Sequence, residues 1–134
     1  MQITWNESMS TGVTRLDIQH KQLIQKFNEF TEILEQPTLA REAAGEVLDF
    51  LQFYATWHFS QEEDCMSQYK CPVAGANKRA HQEFVAMFTK FYNDWQDSTL
   101  NVEAVKETHT KLFDWIMNHI VKVDTRLRPC IKPE

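Results

Sequence analysis

His58 and Glu62 stand four residues apart in the stretch Trp57-His58-Phe59-Ser60-Gln61-Glu62-Glu63. On an α-helix that spacing separates two side chains by only about 40°, so both can grip one ion or two adjacent ions. The pair is common on solvated helix faces, and its chemistry depends on what else reaches the same place. His20, His81 and His119 are three of the four other histidines, with Asp124 five residues beyond His119. Imidazole and carboxylate without thiolate suit iron, manganese or zinc better than copper(I). Six such donors exceed one tetrahedral zinc, whereas two octahedral ions about 3.5 to 4 Å apart use them, with both carboxylates bridging.

The elements that must bring these residues together are four helical patterns, expected over residues 17–35, 39–68, 77–95 and 102–125. The first carries Leu16, His20, Leu23, Phe27, Phe30 and Leu34 at alternating steps of four and three, the seam of a helix bundle. The second carries Ala44, Val47, Leu51, Tyr54, His58 and Glu62; the third Asn77, His81, Phe84, Phe88, Phe91 and Trp95. The fourth carries Val105, His109, Leu112, Ile116, His119 and Val123 before Pro129 stops it. Thr14, Thr38 and Asn101 are the expected N-caps, with Asp17 an acid in the first turn of its helix. Residues 1–16 show no helical period and read as an irregular arm anchored by Trp5.

Short connectors make the fold class all-α, an antiparallel up-down-up-down four-helix bundle. In that topology the start of the first and third helices and the end of the second and fourth share one end of the molecule. His20, His58, Glu62, His81, His119 and Asp124 therefore converge from four helices without any fitting of loop lengths. His109, ten residues before His119 and so about 15 Å along the axis, belongs nearer the other end as a packing residue. Asp124 requires a distortion, because five residues is about 140° of rotation; a widened or frayed helix end would turn it inward.

At 134 residues the chain is expected to be one domain, able to close a core without metal or disulfide support. A net charge of −5 without a basic stripe argues against nucleic acid and anionic membrane as partners. With no basic n-region, apolar h-region or membrane-length run, the expected location is cytoplasmic. Cys65, Cys71 and Cys130 are an odd set without C-x-x-C spacing, so free thiols are expected, a Cys65–Cys71 bridge being conceivable only in an oxidising compartment.

The order and spacing of Trp5, Gly12-Val13, Asp17-Ile18-Gln19-His20-Lys21, His58-Phe59-x-x-Glu62, His81-x-x-Phe84, His119-Ile120-x-x-x-Asp124 and the closing Arg-Pro-Cys resemble a bacterial hemerythrin over nearly the whole chain. The resemblance implies a single hemerythrin-like domain over residues 1–134 and a non-heme, carboxylate-bridged di-iron site, oxo- or hydroxo-bridged, that binds O2 reversibly. It also implies that His20 and His58 ligate one iron and His81 and His119 the other, with Glu62 and Asp124 bridging. One position departs from the family pattern. Asn77 stands where a further His usually completes a three-His iron, and a neutral amide is a weak ligand, so this position is expected to be weakly bound or open.

Leu23, Phe59, Trp115, Ile116 and Ile120 lie a step or a turn from the ligands and are expected to form a dry O2 pocket. The primary expectation is a monomer that binds O2 or small exogenous ligands and senses oxygen or redox state, with a C-terminal signalling domain or protein partner. O2 storage or transport is an alternative within the same chemistry. A di-iron peroxidase or oxidase is the alternative from enzyme chemistry, and a zinc-bound or metal-free structural bundle is the third.

Overall fold

The computed structural model describes residues 2–131. Four helices run over Thr14–Leu34 (α1), Arg41–Gln68 (α2), Ala74–Gln96 (α3) and Val102–Lys122 (α4), flanked by short 3-10 helices over Glu7–Met9 and Asp124–Cys130. Consecutive helices pack against each other and α4 packs against α1, closing a four-helix bundle. All four expected helices are present. α1 and α3 each begin three residues earlier than expected, and α4 stops at Lys122 rather than 125.

The ends explain these differences. α1 starts at Thr14 with Val13 as its cap residue, and α2 follows Ala40; neither has a capping side chain, so Thr14 and Thr38 do not cap. Asp17 instead reaches back to the arm, accepting hydrogen bonds from Thr11 N (2.8 Å), Thr11 Oγ1 (3.0 Å) and Ser10 Oγ (2.7 Å). Asn101 does cap α4, accepting from Ala104 N at 2.8 Å. Trp5 anchors the arm as expected, packed against the main core with Lys21 Nζ over its ring at 4.4 Å.

Two apolar clusters fill the bundle. The larger includes Leu23, Phe27 and Phe30 of α1, Leu51, Ala55 and Phe59 of α2, Phe84 and Phe88 of α3, and Leu112, Ile116 and Ile120 of α4. On α2 the inward turn is taken by Ala55 and Phe59, while Tyr54 is only half-buried. The smaller cluster gathers Leu16, Cys65, Met66, Cys71 and Leu127. The turn after α2 and the C-terminal 3-10 helix are joined by a Cys71–Cys130 disulfide with Cα atoms 5.5 Å apart, leaving Cys65 buried and free. This corrects the expectation of three thiols: sequence spacing carries no trace of a contact that closes only when the chain's end folds back on the α2–α3 turn.

His109 lies in the larger core, as its place on α4 predicts, buried among Phe27, Phe30 and Phe113 with ring centroids 5.7, 4.9 and 5.8 Å away. Thr31 Oγ1 donates to Phe27 O, so at 2.8 Å it accepts from His109 Nε2–H. Burial lowers the His109 pKa to about 4. A folded-state pKa below the usual 6.5 means that stability is present above pH 6.5 and is lost as pH falls through 4. Chemical denaturation at pH 7 and pH 4.5 should show an acid-dependent loss about 2–3 kcal/mol larger in the native chain than in His109→Leu; equal losses would contradict this origin.

Candidate metal centre

Between the two apolar clusters lies a polar layer. On α1 it is His20, with Leu16 on one side and Leu23 on the other; on α2 it is His58 and Glu62, between Ala55 and Met66. α3 contributes Asn77 and His81, and α4 contributes His119. All are buried, Glu62 and His20 completely.

Asp124 arrives by a change of helix type. α4 ends at Lys122; Val123 keeps its hydrogen bond to His119 O (2.8 Å) while its φ of −115° departs from helical geometry, and the chain tightens into the 3-10 helix that Asp124 opens. The distortion expected from the five-residue spacing is thus an ending and a tightening of the helix, not a widening. It buries Asp124 and sets its two oxygens 3.1 Å from His20 Nε2 and 3.1 Å from His119 Nε2.

Glu62 occupies the centre. Its Oε2 is 3.0 Å from His20 Nε2 and 3.2 Å from His58 Nε2, and its Oε1 is 3.1 Å from His81 Nε2. Burial alone would raise its pKa, but the three imidazoles hold it well below the ordinary carboxylate range. Burial would likewise lower His20, yet Asp124 and Glu62 raise it to about 10. His81 is also raised against its burial, by Glu62 and Glu63, whereas burial prevails at His58 and lowers it.

Two sets of donor atoms emerge, each within 4.8 Å mutually: His20, His58, Glu62 and Asp124, and Glu62, His81, His119 and Asp124. The sets share both carboxylates and differ in their imidazole pairs. Several contacts make poor sense as protein chemistry alone. His81 Nε2 and His119 Nε2 face each other at 3.1 Å, where at most one proton can lie between two lone pairs. Asp124 Oδ1, although close to His119, has no contact of hydrogen-bonding geometry, and buried Asn77 Oδ1 has no donor. Cations in the two donor sets would engage the nitrogens and Asp124 Oδ1, so the residues present fit a pair of metal ions.

The outer partners fix the rings. Gln19 Oε1 accepts from His58 Nδ1–H at 2.6 Å, and Glu63 Oε2 accepts from His81 Nδ1–H at 2.9 Å, which aims each Nε2 into the layer. Phe59 stacks on His81 with centroids 4.0 Å apart, and Trp115 stacks on His119 at 4.6 Å. Neither Gln19 nor Glu63 stood out among the expected ligands, although each adjoins one in sequence. Asn77 Nδ2 donates to Glu62 Oε1 and to Met66 Sδ, both at 3.1 Å. Leu23, Phe59, Ile116 and Ile120 are buried in the larger cluster, and Trp115 packs against it.

Comparison with known proteins decides what this layer is. The model of the hemerythrin HHE cation-binding domain matches residues 11–131. The chain belongs to the hemerythrin family. A bacteriohemerythrin of Stenotrophomonas maltophilia is 29% identical over 118 residues, covering 88% of this chain and 74% of the relative. One from Methylococcus capsulatus is 28% identical over 130 residues and covers 96% of each chain. A wild-type hemerythrin crystal structure superposes with a TM-score of 0.84 at 27% identity, over 97% of this chain and 98% of that one. As a hemerythrin-family protein, the chain is a non-heme di-iron, O2-binding protein and not an enzyme, so the peroxidase or oxidase alternative is set aside. No helix among the described residues is long and apolar enough to cross a membrane.

Gln19→Leu removes the acceptor that orients His58 while leaving every layer residue in place. Iron affinity, measured by competition with a chelator, should fall roughly tenfold, and unchanged affinity would show that His58 is oriented by packing alone.

Proposed function

We propose that this chain is an oxygen- or redox-responsive di-iron domain in which His20 and His58 hold one iron, His81 and His119 the other, and Glu62 and Asp124 both. The iron pair supplies the electrons that reversible O2 binding needs. The observation that carries the proposal is Asn77, which sits in the layer and donates to Glu62 instead of offering a third imidazole beside His81 and His119. Each half then has two imidazoles and the shared carboxylates, which leaves an exchangeable position at the His81 half as well as at the His20 half.

Access points the same way. A surface depression of about 330 Å3 between α2 and α3 is lined by Phe59, Glu63 and His81, among others, so the His81 half lies nearer a solvent approach. Leu23, Phe59, Ile116 and Ile120, with Trp115 packed against them, shield the layer from water on its core side. A centre shielded by apolar packing yet approachable from the α2–α3 surface suits a response to oxygen better than long retention of it. A domain that senses passes its oxidation state to a signalling domain or protein partner, so rapid oxidation is then a usable signal.

Elemental analysis of the aerobically purified chain should give two irons per chain, and His58→Ala and Glu62→Ala should each lower that content. Two irons retained in both variants would refute the ligand roles. Anaerobic reduction followed by O2 titration should then show rapid conversion to a stable oxidised state. Reversible O2 uptake that persists through repeated cycles would favour storage or transport over sensing.

A further inference from the structure

Beyond the polar layer, the Cys71–Cys130 disulfide joins two segments separated by 59 residues. It lies in a groove of about 780 Å3, beside Tyr69, Lys70, Pro72, Val73, Arg126 and Pro129. Cys71 is buried and Cys130 half-exposed, so Cys130 is the half of the bridge that an incoming thiol can approach. Lys70 and Arg126 give the groove a positive rim, which favours an approaching thiolate and stabilises a departing one.

Each joined segment leads directly to the layer. Cys71 N donates to Met66 O at 2.9 Å, and Met66 Sδ in turn accepts from Asn77, the neighbour of Glu62. Cys130 ends the 3-10 helix that Asp124 begins, and Leu127 in the middle of that helix packs with Cys71, Met66 and Leu16. The same helix is tied to the N-terminal arm by Arg128, which donates to Ser10 O and Glu7 O. Within this frame the disulfide is the covalent tie between the helix carrying Asp124 and the body of the bundle.

We propose that Cys71–Cys130 is a thiol–disulfide exchange site for a dithiol partner, and that its redox state sets how firmly Asp124 is held in the layer. A thiolate of the dithiol attacks Cys130 Sγ, the Cys71–Cys130 bond breaks, and Cys71 leaves as a thiolate. The second thiol of the partner then displaces Cys130, so the partner ends as a disulfide and the chain gains two electrons and two protons. A partner disulfide drives the reverse reaction. The consequence for iron rests on the di-iron reading above.

The full iron-loaded chain tests this, with iron content measured first. Iron transfer to a chelator should be roughly tenfold faster from Cys71→Ser/Cys130→Ser than from the disulfide form, with no reductant added to either. In a glutathione buffer, mass spectrometry should show wild-type chain gaining and losing the bridge as the thiol-to-disulfide ratio changes. Equal iron-transfer rates, or two thiols that never pair, would overturn the proposal. Should the double variant not fold, hydrogen exchange of residues 124–130 in reduced and reoxidised wild type decides it: reversible acceleration on reduction supports the tie, and unchanged exchange sinks it. A chain without iron would defeat the di-iron reading while leaving the exchange measurements to judge the tie.

Discussion

A carboxylate with no access to water stands at the centre of this protein, and its survival there dictates most of what surrounds it. Glu62 is fully buried on α2, where an ionised group without partners would carry a desolvation penalty no single helix could offset. Three imidazoles from α1, α2 and α3 within 3.2 Å keep it charged. None of those rings can sit there unless its own helix brings it to the same level. The bundle's register is therefore fixed by charge compensation as well as by apolar packing.

The apolar residues on either side serve that layer. A polar stratum between a large cluster and a smaller one is screened from water on both faces, which strengthens each electrostatic contact within it. Aromatic rings carry the screening into the first contacts: Phe59 and Trp115 lie flat on His81 and His119, so the packing that excludes water also limits imidazole rotation. Closing the layer on its fourth side needs Asp124, and a regular α-helix cannot deliver both His119 and Asp124. The switch to a 3-10 helix after Lys122 resolves that conflict, and Leu127 at its centre holds the altered backbone in the small cluster.

Periodicity made the bundle and the convergence of His20, His58, Glu62, His81 and His119 legible, because a four-three seam plus short connectors fixes both face and level. The strain at Asp124 was legible as an angular mismatch, but its form was not: whether a helix end widens or tightens depends on what the following residues pack against. Capping was readable at Asn101, where the contact is local, and misread at Thr14 and Thr38. At the start of α1 Asp17 serves the arm, a tertiary demand that local motifs do not encode. The Cys71–Cys130 bond and the orienting roles of Gln19 and Glu63 are likewise contacts between distant segments, invisible to spacing along one chain.

Asn77 shows how a single side chain divides an otherwise balanced layer. Counting imidazoles alone, the two donor sets are equal, and a metal pair held by them would be symmetric. The oxygens of Glu62 break that equality. Oε2 faces only His20 and His58, whereas Oε1 faces His81 and also accepts a hydrogen bond from Asn77 Nδ2. A carboxylate oxygen that shares electron density with an amide proton is a poorer donor to a cation than one that does not. On the proposed ligand roles, the His81 and His119 half is then the more weakly held, although it has as many imidazoles as the other. Replacing an imidazole with a shorter amide both removes a ligand and spends part of a shared one, and both effects fall on the half that the α2–α3 depression approaches.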